Sequence, residues 1–114
     1  MISKKDRLFN LSTKHTTYLF AITETGHLEH LYYGRLLSNP TISVDALADK
    51  RSLNIGTSTA YDSDHPTLYL TNLCMEYSTM GKGDYRECSV NIEYSRGMQT
   101  LDFIVKSYRI LPGK

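Results

Sequence analysis

The sequence has almost no net charge and no long hydrophobic run. Its 13 lysine and arginine residues are balanced by 12 aspartate and glutamate residues, and the basic residues are scattered along the chain. A balanced, scattered charge gives no strong field for nucleic acid or for an anionic membrane surface. No apolar run approaches the roughly 20 residues of a membrane-spanning helix. The sequence therefore predicts neither a nucleic-acid-binding protein nor a membrane protein.

Cysteine is scarce, and the first residues do not resemble a secretory signal. Two cysteines, Cys74 and Cys88, are too few for a disulfide scaffold or for a zinc site with four cysteine ligands. The first residues, MISKKDRLF, are charged but precede no apolar stretch of the kind found in signal peptides. We therefore predict a cytoplasmic chain in which both thiols are reduced and packed.

Tyrosine is the abundant residue type. There are nine tyrosines, three phenylalanines and no tryptophan. Aromatic and β-branched residues favour strands over helices, and tyrosine also suits surfaces that contact carbohydrate or another protein. With 114 residues, 40% of them apolar and 22% charged, the chain has the size and composition of one globular domain.

Alternating patterns predict an all-β, mostly antiparallel domain. Residues 16–23 place Tyr18, Phe20 and Ile22 on one face, and residues 28–33 form the returning strand of a hairpin that ends at Gly34. Ile22 and Val90 are predicted core residues. Further strands are predicted at residues 8–12, 67–73, 88–94 and 100–111, with a tight turn at 95–97 and one possible helical turn at 44–48. The long stretch 35–66 has weak signals, which favours either a functional or interface segment or disorder at the edge of a fragment.

Several catalytic and metal chemistries find little support. His27 and His30 lie three apart on a predicted strand, so their side chains point to opposite faces and would not readily share a metal ion. Cys74 and His65 lack the strained turn or helix start that activates a nucleophile. Residues 81–84 read GKGD, without the spacing and the following helix of a phosphate loop. We expect no metal and no cofactor.

Carboxylates are present, but no pattern pairs them for catalysis. Glycoside hydrolysis needs two carboxyl groups about 5–10 Å apart across the scissile bond. The sequence offers Asp62 beside Asp64, and the separated Glu76 and Asp84. Composition and spacing alone therefore indicate a non-catalytic β module.

Three ordered blocks of sequence carry a more specific signal. Residues 18–34 contain YLF and then GHLEHLYYG, residues 76–89 read EYSTMGKGDYRECS, and residues 100–110 contain TLDF and then SYRI. Over residues 8–112 the set resembles the N-terminal region of glycoside hydrolase family 36, the bacterial α-galactosidases. Cys88 and Ser78 stand where the family usually has proline, and residues 71–72 replace an Asp-Thr pair.

The resemblance implies a larger protein. In this family a large N-terminal β-sandwich precedes a (β/α)₈ barrel, which supplies both catalytic aspartates. Residues 1–114 are then expected to form a partial antiparallel β-sandwich, which is the N-terminal part of a larger β-supersandwich domain. The catalytic barrel is expected to be absent from these residues. Such a partial sandwich should expose apolar surface near Tyr32, Tyr69 and Tyr108, and the isolated chain should self-associate or be marginally stable.

The implied function is that of the non-catalytic N-terminal domain of a retaining α-galactosidase. The enzyme would hydrolyse terminal α-galactosyl residues of oligosaccharides, and this domain would shape the substrate pocket and the subunit contacts of a homo-oligomer. The alternative is a free-standing carbohydrate- or protein-binding β module. The first interpretation requires the rest of the enzyme, including its barrel, as a partner, whereas the second does not.

The resemblance also suggests which residues matter. In some members an acidic residue of the long first loop contacts galactose, and the matching carboxylate here is Asp49, with Asp45 as the second choice. A carboxylate that accepts from two sugar hydroxyls gives oriented, charge-assisted recognition.

A second group of residues is expected to be structural or to lie at an interface. For the sharpest motif, Asp84-Tyr85-Arg86, we expect Arg86 to be buried and paired with a carboxylate, and Tyr85 to pack on the sheet. Of Tyr32 and Tyr33, which follow each other on a predicted strand, we expect one to point inward and the other to face a neighbouring domain.

Overall fold

The computed structural model describes residues 1–38, 43–47 and 59–112. Two compact units divide between residues 48 and 49 and again between 103 and 104. The first unit therefore contains both described ends of the chain, and the second contains residues 59–103. Among the described residues, no helix is long and apolar enough to cross a membrane.

The first unit is built on a four-stranded antiparallel sheet with the strand order β1-β2-β3-β4. The strands are β1 (Ile2–Lys5), β2 (Leu8–Ser12), β3 (Thr16–Ile22) and β4 (Leu28–Arg35). In the central hairpin Tyr18 is opposite Tyr33 and Ile22 is opposite Leu28, which confirms the predicted pairing. Strand β1 was not predicted, because all four of its residues are exposed and give no alternation of buried and exposed side chains.

Each sheet turn has a local cause in the sequence. Asp6 begins the two-residue turn after β1 at a positive φ of 52°, a conformation that aspartate tolerates better than most residues. After β2, the hydroxyl of Thr13 accepts the backbone N–H groups of His15 and Thr16 at 3.1 and 3.0 Å. Gly26, at a φ of 89°, completes the turn between β3 and β4.

Strand β4 carries a bulge and does not end at Gly34. Leu19 is opposite Tyr32 but Phe20 is opposite His30, so one extra residue of β4 lies between those pairs. The strand continues to Arg35, contrary to the prediction, because Gly34 and Arg35 pair with Thr17 and Thr16 of β3. A Cβ at Gly34 would lie 2.7 Å from the Tyr32 hydroxyl.

The buried face of the sheet is not the one that the bulkiest residues suggest. Along β3 burial alternates, and the residues that point inward are Thr17, Leu19 and Ala21, which are at most 1% exposed. Ile22 is half-buried on the opposite face, so its predicted place in the core is wrong, and Val90 is likewise only half-buried. Among the described residues of the first unit, the buried apolar side chains are Leu8, Leu19 and Ala21 on this face and Phe9 on the other, and in the second unit they are Leu70 and Leu101.

The other face carries a row of side chains that crosses all four strands. Lys4, Phe9, Phe20 and His30 are successive cross-strand partners. The rings of Phe9 and Phe20 stack with centroids 4.9 Å apart, and Tyr108 packs edge-on against Phe9 at the same distance. Cross-strand aromatic pairs of this kind stabilise a sheet beyond their backbone hydrogen bonds.

Helix is a minor component. The helical turn expected near residues 44–48 is α1 (Val44–Leu47). The strand predicted at 67–73 is wrong, since Leu70–Asn72 forms a 3₁₀ turn in which the amide of Leu73 donates to the carbonyl of Leu70 at 3.1 Å. The described chain is thus mostly sheet with little helix, in agreement with the predicted all-β, partial-sandwich class.

The strands predicted at 88–94 and 100–111 are also wrong. Between residues 59 and 112 pairing is limited to two isolated bridges, Thr79 with Val90 and Gly81 with Asp84. The predicted tight turn is present, since Gly97 has a φ of 75° and the amide of Tyr94 donates to the carbonyl of Met98 at 2.9 Å. Alternation alone does not make a strand without a neighbour that supplies the ladder of hydrogen bonds.

Candidate functional site

A tight turn positions the sharpest motif of the second unit. Gly81 and Asp84 close the turn, and the amide of Asp84 donates to the carbonyl of Gly81 at 3.0 Å. Both central residues, Lys82 and Gly83, have positive φ values of 51° and 81°, as in a type I′ turn. A Cβ at Gly83 would lie 2.7 Å from the carbonyl oxygen of Thr59, so a larger residue would not fit there.

Arg86 forms a two-pronged ion pair with Asp84. Its Nε donates to Oδ1 of Asp84 at 2.9 Å, and its Nη2 donates to Oδ2 at 2.8 Å. The Asp84 side chain is 1% exposed, whereas the Arg86 side chain is 36% exposed. The pair is thus an anchored carboxylate with a partly accessible guanidinium, a geometry that favours arginine over lysine.

The same guanidinium fastens the 3₁₀ turn. Nη1 donates to the carbonyl of Leu73 at 2.8 Å, and Nη2 donates to the carbonyl of Leu70 at 2.9 Å. These carbonyls lie 13 and 16 residues away in sequence, so one side chain ties two distant segments of the second unit together. The arrangement is that of a structural clamp.

The electrostatics keep this pair ionised. Burial raises the pKa of Asp84, but the hydrogen bonds and positive charge of Arg86 outweigh it, and the net pKa lies below the ordinary value. The hydrogen bond to Asp84 raises the pKa of Arg86. A buried carboxylate with a lowered pKa is poorly suited to donate a proton near neutral pH.

Tyr85 is not packed on a sheet. It is 82% exposed, because Asp84 and Arg86 on either side are held by the clamp while Tyr85 is left to face solvent. In the first unit Tyr32 is half-buried and donates its hydroxyl hydrogen to the carbonyl of Arg35 at 2.9 Å. Tyr33 is 71% exposed, so the two neighbours on β4 differ in exposure as expected of a strand.

A second polar cluster was not predicted. The hydroxyl of Tyr61 donates to Oδ2 of Asp102 at 2.6 Å, and the Lys82 ammonium lies 5.3 Å from the Tyr61 ring centroid. The hydrogen bond to Asp102, with burial and the nearby negative charge, raises the pKa of Tyr61 to about 12. Because 41 residues separate Tyr61 from Asp102, no local pattern connects them.

Asp62 and Asp64 do not act as a carboxylate pair. Asp62 accepts the backbone amide of Asp64 at 3.0 Å and contacts Nδ1 of His65 at 2.7 Å. Desolvation raises the pKa of Asp62, but the hydrogen bonds from His65 outweigh it and the net pKa is lowered. The carboxylate therefore organises the loop of residues 62–65.

The remaining candidates are dispersed. His27 is fully buried with Nδ1 2.8 Å from the hydroxyl of Thr25. Both cysteines are free thiols, but Cys74 is exposed and Cys88 half-buried, so the expected packing of Cys74 is wrong. Asp49 lies outside the described residues. Asp45 is exposed on α1 and lines a cleft of about 220 Å³ in the first unit.

Comparisons with known proteins cover most of the chain. The sequence profile described as glycosyl hydrolase family 36 N-terminal domain matches residues 26–114. A bifunctional α-galactosidase/sucrose kinase, AgaSK, of Mediterraneibacter gnavus is 37% identical over 95% of this chain and 11% of its own length. The chain therefore spans only a small part of that relative.

Solved structures agree with the sequence match. The galactosidase domain of AgaSK superposes with a TM-score of 0.76 and 33% identity, over the whole of this chain and 16% of that one. The α-galactosidase AgaB of Geobacillus stearothermophilus has a TM-score of 0.80 over the whole of this chain and 15% of its own, and at 23% identity it supports the fold alone. On the profile match and the identity to AgaSK, this chain belongs to the glycosyl hydrolase family 36 N-terminal domain family.

Proposed function

We propose that this chain is the N-terminal, non-catalytic domain of a retaining α-galactosidase that hydrolyses terminal α-galactosyl residues of oligosaccharides. The observation that carries the proposal is the 37% identity to an α-galactosidase over 95% of this chain. Because the match covers 11% of that relative, the proposal assigns catalysis to a barrel outside residues 1–114. The cytoplasmic location remains a prediction from the sequence.

The chemistry of the described carboxylates supports a non-catalytic role. A retaining glycosidase needs one carboxylic acid to protonate the leaving oxygen and one carboxylate to attack the sugar. Asp84 is buried against Arg86, Asp62 is bonded to His65, and Asp102 accepts from Tyr61. Each of these groups is engaged in holding its own unit together.

In this proposal the domain has two tasks. Asp49 shapes the substrate pocket by accepting hydrogen bonds from sugar hydroxyls. The exposed rings of Tyr33 and Tyr85 contact other parts of a homo-oligomeric enzyme, while Tyr32, Asp84 and Arg86 hold those rings in place. Tyrosine is enriched at protein interfaces, and exposures of 71% and 82% leave both rings available for such contacts.

The test uses the longer protein in which this chain is followed by the rest of its reading frame. Asp49→Ala should lower kcat/KM for a chromogenic α-galactoside by about 10- to 150-fold, the value of one charged hydrogen bond of roughly 1.5–3 kcal/mol. Its thermal midpoint should not change. Asp64→Ala, at an exposed carboxylate of the second unit, is the matched control and should leave kcat/KM unchanged.

Two results would count against this role of Asp49. Unchanged kinetics with a lowered thermal midpoint would make Asp49 structural, and Asp45→Ala would then be the variant to measure. If neither variant altered kcat/KM, this domain would have no direct part in sugar binding.

A further inference from the structure

The first unit contains a cleft of about 600 Å³ that is lined partly by β2 and partly by the residues after β4. Strand β2 contributes Asn10 and Ser12, and the residues after β4 contribute Leu36, Leu37 and Ser38. All of them belong to the first unit. The volume lies within the range of about 300–1,000 Å³ that is typical of pockets for small molecules.

The sheet itself holds the lining of the cleft in place. Ser12 is opposite Thr17 in the ladder between β2 and β3. After β4, the amide of Leu36 donates to the carbonyl of His15 at 2.8 Å, and the amide of Leu37 donates to the hydroxyl of Thr17 at 3.0 Å. Since Thr17 is fully buried, residues 36–37 are fastened to the interior of the first unit.

A buried amide side chain faces the cleft. Asn10 is 5% exposed, and its Oδ1 accepts the hydroxyl hydrogen of Ser12 at 2.8 Å. Its Nδ2 donates to no acceptor among the described residues, yet the described part of the chain leaves no completely buried side-chain nitrogen or oxygen without a partner. Nδ2 is therefore reached from the cleft, where it presents two donor hydrogens.

The other polar side chains of the cleft supply positive charge and a further donor. Lys14 is exposed and lines the cleft with its ammonium-bearing side chain, and Ser38 adds a hydroxyl. The hydroxyl of Thr13, also in the lining, is engaged by Thr16 at 2.7 Å. No aspartate or glutamate occurs among the described lining residues. Donors and a cation without a carboxylate match a ligand that carries negative charge on acceptor oxygens.

We propose that this cleft binds a small phosphate monoester. The phosphate oxygens accept hydrogen bonds from Lys14, from Nδ2 of Asn10 and from the hydroxyl of Ser38, while the organic part packs against Leu36 and Leu37. A phosphate group carries a charge of about −1.5 to −2 near neutral pH and three strong acceptor oxygens, so it can satisfy three donors that belong to three separate residues. The proposal goes beyond the α-galactosidase assignment and does not depend on it.

A neutral saccharide fits the same cleft less well. Each sugar hydroxyl donates a hydrogen as well as accepting one, so a saccharide needs acceptors beside donors. The described lining offers no carboxylate, and Oδ1 of Asn10 already accepts from Ser12. The side chains of the cleft therefore favour a ligand that only accepts hydrogen bonds, as a phosphate dianion does.

Titration calorimetry on the longer protein of the same reading frame tests the site with glycerol 3-phosphate and with glycerol, its uncharged match. Glycerol 3-phosphate should bind and glycerol should not, and inorganic phosphate should compete because it presents the same oxygens. Failure of glycerol 3-phosphate to bind, or equal binding of glycerol, would overturn the proposal. Acetate that competed as strongly as inorganic phosphate would overturn the choice of phosphate over a carboxylate.

A matched pair of lysine variants assigns the binding to this cleft. Lys14→Gln removes the positive charge at an exposed position, where folding does not depend on it, and should weaken binding of glycerol 3-phosphate by about 10-fold. Lys106→Gln makes the same change at an exposed lysine of the first unit outside the cleft lining, and should leave the affinity unchanged. Equal effects of the two variants would contradict a site in the cleft.

A third variant tests the buried amide. Asn10→Asp keeps the size of the side chain and an acceptor for Ser12, but it removes both donor hydrogens and adds a charge of the same sign as the ligand. In a protein whose thermal midpoint shows that it is folded, binding should weaken by about 10- to 150-fold. Unchanged binding would overturn the proposal. If Asn10→Asp does not fold, the comparison of Lys14→Gln with Lys106→Gln still decides the outcome.

Discussion

The two units of this chain are stabilised in different ways. The first unit relies on a regular ladder, because β1 to β4 pair in sequence order and a row of side chains crosses the sheet from Lys4 to His30. The second unit has no such ladder among its described residues. It relies on side chains that bond to distant carbonyls, chiefly Arg86 to Leu70 and Leu73.

The difference has consequences for how each unit responds to mutation. In a strand ladder the backbone hydrogen bonds do not depend on residue type. A substitution there therefore changes the free energy of unfolding mainly through side-chain packing. In the second unit one guanidinium makes four hydrogen bonds through its side-chain nitrogens, so a single polar substitution removes several contacts together. Apolar truncations should therefore be most damaging in the first unit and polar ones in the second.

The largest effect is expected for Leu19→Ala, at the centre of the buried face of β3. Leu19 is 0% exposed, so its truncation should lower the free energy of unfolding by about 3–5 kcal/mol. Ile22→Ala, on the half-buried face of the same strand, should cost about 1–2 kcal/mol. Urea unfolding measures both, and a larger loss for Ile22→Ala would reverse the assignment of the two faces.

The next largest effect is expected for Arg86→Met. The substitution leaves the Asp84 carboxylate buried without its cation, and should cost about 2–4 kcal/mol after allowance for the partial exposure of Arg86. Arg96→Met, at an exposed position of the tight turn of residues 95–97, is the control and should change stability by less than about 0.5 kcal/mol. If the two variants proved equally mild, Arg86 would not be the clamp of the second unit.

A pH series sharpens the role of the same pair. The pKa of Asp84 is lowered in the folded protein, so its contribution is present above the ordinary carboxyl pKa of about 3.9 and is lost as the pH falls through the lowered value. The stability difference between wild type and Asp84→Asn should therefore be full at neutral pH and shrink in acid. A difference that stayed constant down to the acid range would show that the Asp84 charge does not matter.

The smallest effect is expected for Tyr61→Phe. Loss of the hydrogen bond to Asp102 should cost about 1 kcal/mol at neutral pH. Since the folded pKa of Tyr61 is raised to about 12, the wild-type contribution is full below the ordinary value near 10 and is lost as the pH rises towards 12. The variant should lack this alkaline loss, which unfolding experiments at increasing pH would detect.

The sequence predicted the first unit far better than the second, for a physical reason. Alternation and turn residues are local, and they identified the hairpin of β3 and β4 and the strand Leu8–Ser12. Strand β1 was missed because all four of its residues are exposed and its sequence has no apolar face. The bulge in β4 and the extension to Arg35 are set by the register with β3, which the periodicity of a single strand does not contain.

In the second unit the decisive contacts are long-range and polar. The segment 67–73 has residues typical of a strand, but Leu70–Asn72 forms a 3₁₀ turn. Arg86 donates hydrogen bonds to the carbonyls of Leu70 and Leu73 at this turn. Tyr61 and Asp102 meet across 41 residues, with no signal at either position. The exposure of Tyr85 follows from two anchored neighbours, a consequence of the clamp that residue type alone does not indicate.

The most direct test of the central claim is the release of galactose from a chromogenic α-galactoside by two purified proteins, the 114-residue chain and the longer protein of the same reading frame. The account predicts turnover by the longer protein and none by the short chain, because it assigns both catalytic carboxylates to a barrel outside residues 1–114. Turnover by the short chain, abolished when one of its own carboxylates is replaced, would contradict the assignment of this chain as a non-catalytic domain.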